Sequence, residues 1–249
     1  MEQPSKSAVR KAGSWVRTAI QSGVSLEQVK ESSQMQVITN YRNCFTEPMR
    51  RVTDGLVTLL SEHGLAGQVS SRLKRAETII DKISNRERGL DLSRMQDIGG
   101  CRVVLDSLPQ VRTLEQAVLS HWASRVLRTN DYYKEPRPSG YRSIHIVVQE
   151  QGRPIEIQLR SPLAHSFAQM VEALSQQFGT NYKQDGDSPV HRSLAQVARL
   201  VSELESSQPH IHTIRRYVTE TEALISSIVD ELGRGDQGVL NAEAVPTDL

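Results

Sequence analysis

Aromatic side chains are scarce. Phe, Trp and Tyr make up 4% of the 249 residues, so any ring set among polar residues marks a place to look for binding. Cysteine is scarcer still. Cys44 and Cys101 are too few for a disulfide framework or a Cys/His metal cluster, and they fit reduced thiols in a cytosolic protein. No apolar run approaches the roughly 18 residues that span a bilayer. The opening MEQPSKSAVRKAGSW lacks the apolar centre of a signal peptide. The expectation is a cytoplasmic protein with no membrane partner. An excess of one charge is also missing. Thirty Lys and Arg face 29 Asp and Glu, for a net charge of +1. No global field draws in nucleic acid, so any such contact must be a local patch. The G-x-x-x-x-G-K-[ST] signature of a P-loop does not occur, nor does H-E-x-x-H.

The length suits one domain with elaborations and is ample for a core. Residues 5–95 read as mostly helical. Val9, Ala12, Trp15, Val16 and Ile20 fall on one side at helical spacing. Ser25 and Gln28 form a capping box ahead of a helix running to Phe45, and Pro48 and Gly64 bracket another. AETIIDKISNRE predicts a further amphipathic helix. The middle of the chain changes character. GGCRVVLDSL reads as a strand, QVRTLEQAVLSHWASR as a helix and VLRTNDYY as a short strand. KEPRPSG is a stiffened loop, and YRSIHIVVQ and RPIEIQLR are strands joined by a hairpin turn at EQG. Ser161 and Pro162 open a helix over SPLAHSFAQMVEALSQQF, and two long helices follow within 190–232. The pattern predicts an α/β (α+β) chain: a helical region over 1–64, a mixed core over 65–180, C-terminal helices over 181–232 and a disordered tail over 233–249.

Strand parity isolates a polar face. Ile155, Ile157 and Leu159 point one way along RPIEIQLR, and Glu156, Gln158 and Arg160 point the other. On the preceding strand Tyr141, Ser143 and His145 share a face, opposite Arg142, Ile144 and Ile146. If the polar faces coincide, Tyr141, His145, Glu156, Gln158 and Arg160 line one surface. A half-exposed sheet gives the same alternation. In RMQDIGGCRVVL, Asp97 starts a strand and lies five residues before Arg102, so a regular strand sends them to opposite faces. A bulge at Gly99–Gly100 would reunite them. Arg72, Lys74, Arg75 and Lys82 supply cations before and along a helix, with Glu77 and Asp81 as partial balance.

Four motifs in this order, SRLKRAETIIDKI, MQDIGGCRVVL, YYKEPRPSGYRSIH and IEIQLRSPLAH, resemble the RelA/SpoT-type synthetase domain over roughly residues 65–175. MQDIGGCR looks most like the stand-alone members, some of which are toxins. The resemblance implies a nucleotidyltransferase-like mixed β-sheet flanked by helices. It implies transfer of the β,γ-pyrophosphate of ATP to a ribose 3′-hydroxyl, with release of AMP and with Mg²⁺ as cofactor. By motif position, Arg72 and Arg102 match the arginines that sandwich the adenine, and Lys74 matches a phosphate-binding lysine that Lys82 assists. Asp97 matches the acidic Mg²⁺ ligand. Glu156 matches the second acid, which touches the metal and takes the proton of the 3′-hydroxyl. Tyr141 matches the ring that stacks on the acceptor base, and Lys134, Arg142, His145, Gln158 and Arg160 match acceptor or phosphate contacts. The hydrolase motif of long family members is not found, so the chain is expected to make product without removing it.

Two acceptors stay open. A free GTP or GDP would make the protein an alarmone synthetase. The 3′-CCA end of tRNA, or an adenine nucleotide, would make it a toxin held by an antitoxin. A tRNA needs a basic path, for which Arg42, Arg50 and Arg51, or Arg10, Lys11 and Arg17, are available. A third reading, a binding domain that has lost its chemistry, fits poorly with both acids and both arginines in place. Oligomeric state is not legible.

Overall fold

Five strands form one sheet in the computed structural model, which describes residues 3–180, 182, 186, 188–206, 216, 219–223, 226, 227 and 230. The chain enters through α1 (Lys6–Gln21), α2 (Leu26–Lys30), α3 (Ser33–Asn43) and α4 (Thr46–Glu62). Next come β1 (Gly67–Leu73), α5 (Ala76–Asp81), a π-turn over Lys82–Arg86 and a 3₁₀ turn over Leu92–Arg94. Then follow β2 (Gly99–Leu105), α6 (Leu108–His121), β3 (Val126–Asp131), β4 (Ile144–Glu150) and β5 (Arg153–Arg160). The sheet order is β1-β2-β5-β4-β3. It is mixed: β2 and β5 run parallel, while β1 and β4 run antiparallel to their neighbours β2 and β5.

Residue types explain most boundaries. Ser5, Ser25, Ser32, Ser107 and Ser161 each accept a backbone N–H at a helix start, and Ser25 and Gln28 complete the capping box. The β4–β5 connection is two residues long. Gln151 (φ 47°) and Gly152 (φ 74°) both have positive φ, as a type I′ turn requires. One sheet face carries Cys101, Val103 and Leu105 from β2, Ile155, Ile157 and Leu159 from β5, and Ile144, Ile146 and Val148 from β4, all buried. Helices α4 and α6 pack there through Val52, Leu56, Leu59, Val111, Leu114 and Val118. Each such side chain contributes about 1.5–3 kcal/mol on leaving water, so this face dominates the core.

Several sequence expectations need correction. The stretch from Ser25 to Phe45 is two helices, because Ser32 caps a new start at Ser33. The buried stripe of α1 is Val9, Ala12, Gly13, Val16 and Ala19, while Trp15 is 41% exposed. β1 was not expected at all. It is an edge strand, exposed over most of its length, so it lacks the apolar alternation that reveals a strand. β4 begins at Ile144, so Tyr141, Arg142 and Ser143 precede it and strand parity does not govern them. β2 pairs without interruption from Gly99 to Leu105 on β1, so the expected bulge is absent and Asp97 lies ahead of the strand.

The chain divides into two compact units. One comprises residues 1–130 and 144–160, with the sheet and helices α1–α6. The other comprises 131–143 and 161–249, with α7 (Pro162–Gln177) and α8 (Pro189–Ser206). Phe167, Val171, Leu174, Tyr182, Val190, Leu194, Val197 and Val201 form its core. The described residues within 211–232 are helical. The tail over 233–249 lies outside the described residues.

Candidate active site

The polar face of the sheet is organised in rows. The pairing of β1, β2, β5 and β4 aligns Arg72, Gly100, Glu156 and Val147 in one row. Ser70, Arg102, Gln158 and His145 form the next, and Gln68, Val104 and Arg160 follow. Both arginines expected on the adenine therefore share this face with the second acid. Gly100 leaves a gap between Arg72 and Glu156. A Cβ there would meet only the Glu156 carbonyl oxygen, at 3.7 Å.

Glu156 is held from both sides. His145 Nδ1 lies 3.0 Å from Oε1, and Gln158 Nε2 donates to Oε2 at 2.7 Å. Arg160, 5% exposed, donates to Gln158 Oε1 at 3.0 Å. Burial pushes the Glu156 carboxyl upward, but the hydrogen bond and charge of His145 and the bond from Gln158 outweigh it, and the net shift is downward. Asp97 acts in the opposite sense, which places the two acids within electrostatic reach of each other.

Asp97 sits just before β2, in a cluster of cations. Lys74 and Lys82 donate to its Oδ2 at 2.8 and 2.9 Å. Burial raises the Asp97 carboxyl, and the two ammonium groups more than reverse that, so it remains ionised. Asp97 is thus the counter-ion that the two lysines share, and Lys82 also lies 3.3 Å from Glu87; Glu77 pairs with Lys30 and Asp81 with Arg86. Oδ1 of Asp97 is buried and makes no hydrogen bond. An orphaned carboxylate oxygen normally costs free energy, and it is the kind of atom a divalent cation satisfies. Among the described residues no three His, Cys, Asp or Glu side chains converge. A cation here would take two carboxylates at most, which suits Mg²⁺ because it draws its other ligands from phosphates and water.

The remaining expected residues, Tyr141, Arg142 and Lys134, belong to the second unit. The Tyr141 ring stands edge-on to Tyr132, with centroids 5.8 Å apart, and the Arg137 guanidinium lies 4.8 Å over Tyr132. Burial lowers the Arg142 guanidinium below its ordinary range, against the pull of Glu205 on α8. Glu205 accepts the hydroxyl of Ser161. Lys134 is 75% exposed at its side chain and lies 3.6 Å from Asp131. Gly140 (φ 78°) leads into this segment against Ala198. Tyr132 and Arg137 were missed by sequence reasoning, although a ring beside KEPRPSG in so ring-poor a chain was the signal for Tyr132. Glu205 gave no signal, because its role depends on how α8 packs.

The basic paths suggested for a tRNA are largely occupied. Arg42 donates to the Lys74 carbonyl, and Arg17 donates to the carbonyls of Ile83 and Leu90. Arg50 and Arg51 bind Glu47, whose carboxyl falls to about 2 through the Arg50 hydrogen bond first, and Arg50 also binds Asp54. Arg10 and Lys11 remain exposed.

Known proteins resemble this chain in sequence and in fold. The family described as "Region found in RelA / SpoT proteins" matches residues 71–187, an interval that includes Arg72, Lys74, Lys82, Asp97, Arg102, His145, Glu156, Gln158 and Arg160 of the first unit and Lys134, Tyr141 and Arg142 of the second. The GTP pyrophosphokinase YjbM of Bacillus subtilis (strain 168) is 28% identical over 176 residues, covering 66% of this chain and 79% of that protein. A GTP pyrophosphokinase of Myxococcus xanthus is 28% identical over 160 residues, covering 63% of this chain but only 21% of its own length. The crystal structure of small alarmone synthetase 2 from Bacillus subtilis shares the fold, with a TM-score of 0.57 at 18% identity over 67% of this chain and 93% of that one. No helix among the described residues is long and apolar enough to cross a membrane. Over residues 71–187 the chain carries the region found in RelA / SpoT proteins, and it is similar to enzymes named GTP pyrophosphokinases.

Proposed function

We propose that the protein transfers the β,γ-pyrophosphate of ATP to the ribose 3′-hydroxyl of GTP or GDP. The observation that carries this reading is the Asp97 cluster: one carboxylate oxygen tied to Lys74 and Lys82, the other left open, with ionised Glu156 in electrostatic reach. Pyrophosphoryl transfer needs positioning and charge neutralisation more than a covalent nucleophile, and this cluster offers both.

Asp97 and Glu156 are the residues that would hold Mg²⁺. When bound, the ion neutralises charge on the transferring phosphates. Arg72 and Arg102, on neighbouring strands, offer guanidinium planes for the adenine, and Lys74 and Lys82 offer ammonium groups for the phosphates. The 3′-hydroxyl oxygen attacks the β-phosphorus, the bond from that phosphorus to the α,β-bridging oxygen breaks, and AMP leaves with that oxygen. Glu156 takes the hydroxyl proton, steadied by His145 and Gln158. The Tyr141 ring, backed by Tyr132, offers a surface for the acceptor base.

A guanine nucleotide is favoured over tRNA for two reasons. The relatives reported above are named GTP pyrophosphokinases, and four of the six cations available for a tRNA path already serve backbone carbonyls or acids. The test is incubation of the protein and Mg²⁺ with γ-labelled ATP alone, or with GTP, GDP or total tRNA added. Label in GTP or GDP is expected. Label confined to tRNA, or to an adenine nucleotide, replaces the acceptor and favours the toxin reading with its antitoxin partner. No transfer in any arm removes the enzymatic reading.

A further inference from the structure

Lys82 and Asp97 touch, yet the segment 83–96 runs out and back between them. Something must hold that loop closed. Its first turn is unusual. Residues Lys82–Arg86 form a π-turn, in which the Glu87 N–H reaches the Lys82 carbonyl at 2.7 Å. Such turns are rare, and the Ile83 and Ser84 carbonyls lie within this one. Helix α1 takes up those carbonyls. Arg17 Nε donates to the Ile83 carbonyl at 2.9 Å, and Gln21 Nε2 donates to the Ser84 carbonyl at 3.3 Å. The other arm of the same guanidinium, Nη2, donates to the Leu90 carbonyl at 2.5 Å. One planar fork therefore bridges the outgoing and the returning limb of the loop, a geometry that lysine cannot copy. One turn earlier, α1 presents Gly13 to the loop. A Cβ there would stand 2.8 Å from Leu92 Cβ, and Leu92 is 1% exposed.

We infer that Arg17 is a positioning residue: by clamping both limbs of the 83–96 loop it sets the Lys82 ammonium against Asp97 and so builds the cation and phosphate site from outside the matched family interval. Gln21 supports the clamp at Ser84. The inference rests on the reading of Asp97 as the metal-side carboxylate. It adds that this carboxylate's geometry is fixed by a helix that begins 91 residues earlier in the chain.

The test measures metal binding rather than turnover. Mn²⁺ replaces Mg²⁺ and is titrated by EPR against the full chain, with α,β-methylene-ATP present so that no transfer can occur. Arg17→Ala is expected to weaken Mn²⁺ binding about tenfold, the size of one lost charge-assisted hydrogen bond. Arg17→Lys, which can reach one carbonyl but not both, should fall between Arg17→Ala and the wild type. Lys82→Met should weaken binding too, because Mn²⁺ is held together with the nucleotide phosphates to which this ammonium is offered, and Arg17→Ala combined with Lys82→Met should be no weaker than Lys82→Met alone, because both act through one contact. If Arg17→Ala fails to fold, Gln21→Ala removes only the Ser84 bond and should give a smaller loss in the same direction. Wild-type affinity in the folded Arg17 variants, or losses that simply add in the combined variant, overturns the inference while leaving the proposed reaction intact. A wild-type protein that binds no Mn²⁺ removes the reading of Asp97 and the inference with it.

Discussion

Lys82 Nζ and Asp97 Oδ2 lie 2.9 Å apart, and Lys74 reaches the same oxygen at 2.8 Å. The carboxylate is thereby made one-sided: Oδ2 serves the protein, and Oδ1 is buried without a hydrogen bond. Asp97→Asn and Glu156→Gln keep size and shape, so both variants should fold with a native circular dichroism spectrum, at a Tm lowered by the charge contacts each loses. Pyrophosphate transfer should fall by about a thousandfold in each, roughly 4 kcal/mol of barrier. Turnover near wild type in either would sink the assignment.

The pH dependence follows from the direction of the shifts. Asp97 and Glu156 both titrate below their ordinary values in the folded protein. The stability they contribute is therefore fully present above the unfolded carboxylate range, about pH 4, and is lost as pH falls through the folded values. Urea midpoints should hold from neutral pH down to that range and drop only below it. Lys82→Met removes one of the groups that depress Asp97, so the Asp97 signal in a carbon-13 NMR titration should move to higher pH.

Gly100→Val separates binding from folding. The strand is regular there, and a Cβ meets only ordinary contact with the Glu156 carbonyl oxygen. A β-branched residue suits a strand, so Tm should change by no more than a few degrees. The side chain fills the gap between Arg72 and Glu156, and ATP affinity by calorimetry should fall at least tenfold, about 1.4 kcal/mol. Unchanged affinity would place the nucleotide elsewhere.

Gly140→Ala tests the segment before Tyr141. A Cβ at Gly140 would lie 2.1 Å from the Ala198 Cβ, and φ is 78°. Clash and positive φ together should cost about 2–4 kcal/mol by urea unfolding. Adding Ala198→Gly relieves the clash but not the dihedral, so only part of the loss should return.

Much of this site was legible in the sequence, and the gaps have physical causes. Alternation in RPIEIQLR placed Glu156, Gln158 and Arg160 on one face because one side of β5 is core, and that burial enforces the period of two. Asp97 and its lysines were legible only through the family resemblance. Their meeting depends on β1, an exposed edge strand with no apolar signature, and on a loop that returns on itself. The strand reading of Tyr141 failed because Gly140 turns the chain and β4 starts later, at Ile144. The Arg17 clamp could not be read at all, since a guanidinium that caps carbonyls looks in sequence like any solvated arginine on a helix.

The two-residue turn at Gln151–Gly152 acts as a ruler for the Glu156 carboxylate. It fixes His145 opposite Gln158, and hence on the same side of the sheet as Glu156. One extra residue in that turn would slide β4 by a single step and send His145 into the apolar layer, with Ile144 or Ile146 in its place above the carboxylate. The length of this one turn thus sets which side chain stands beside the Glu156 carboxylate.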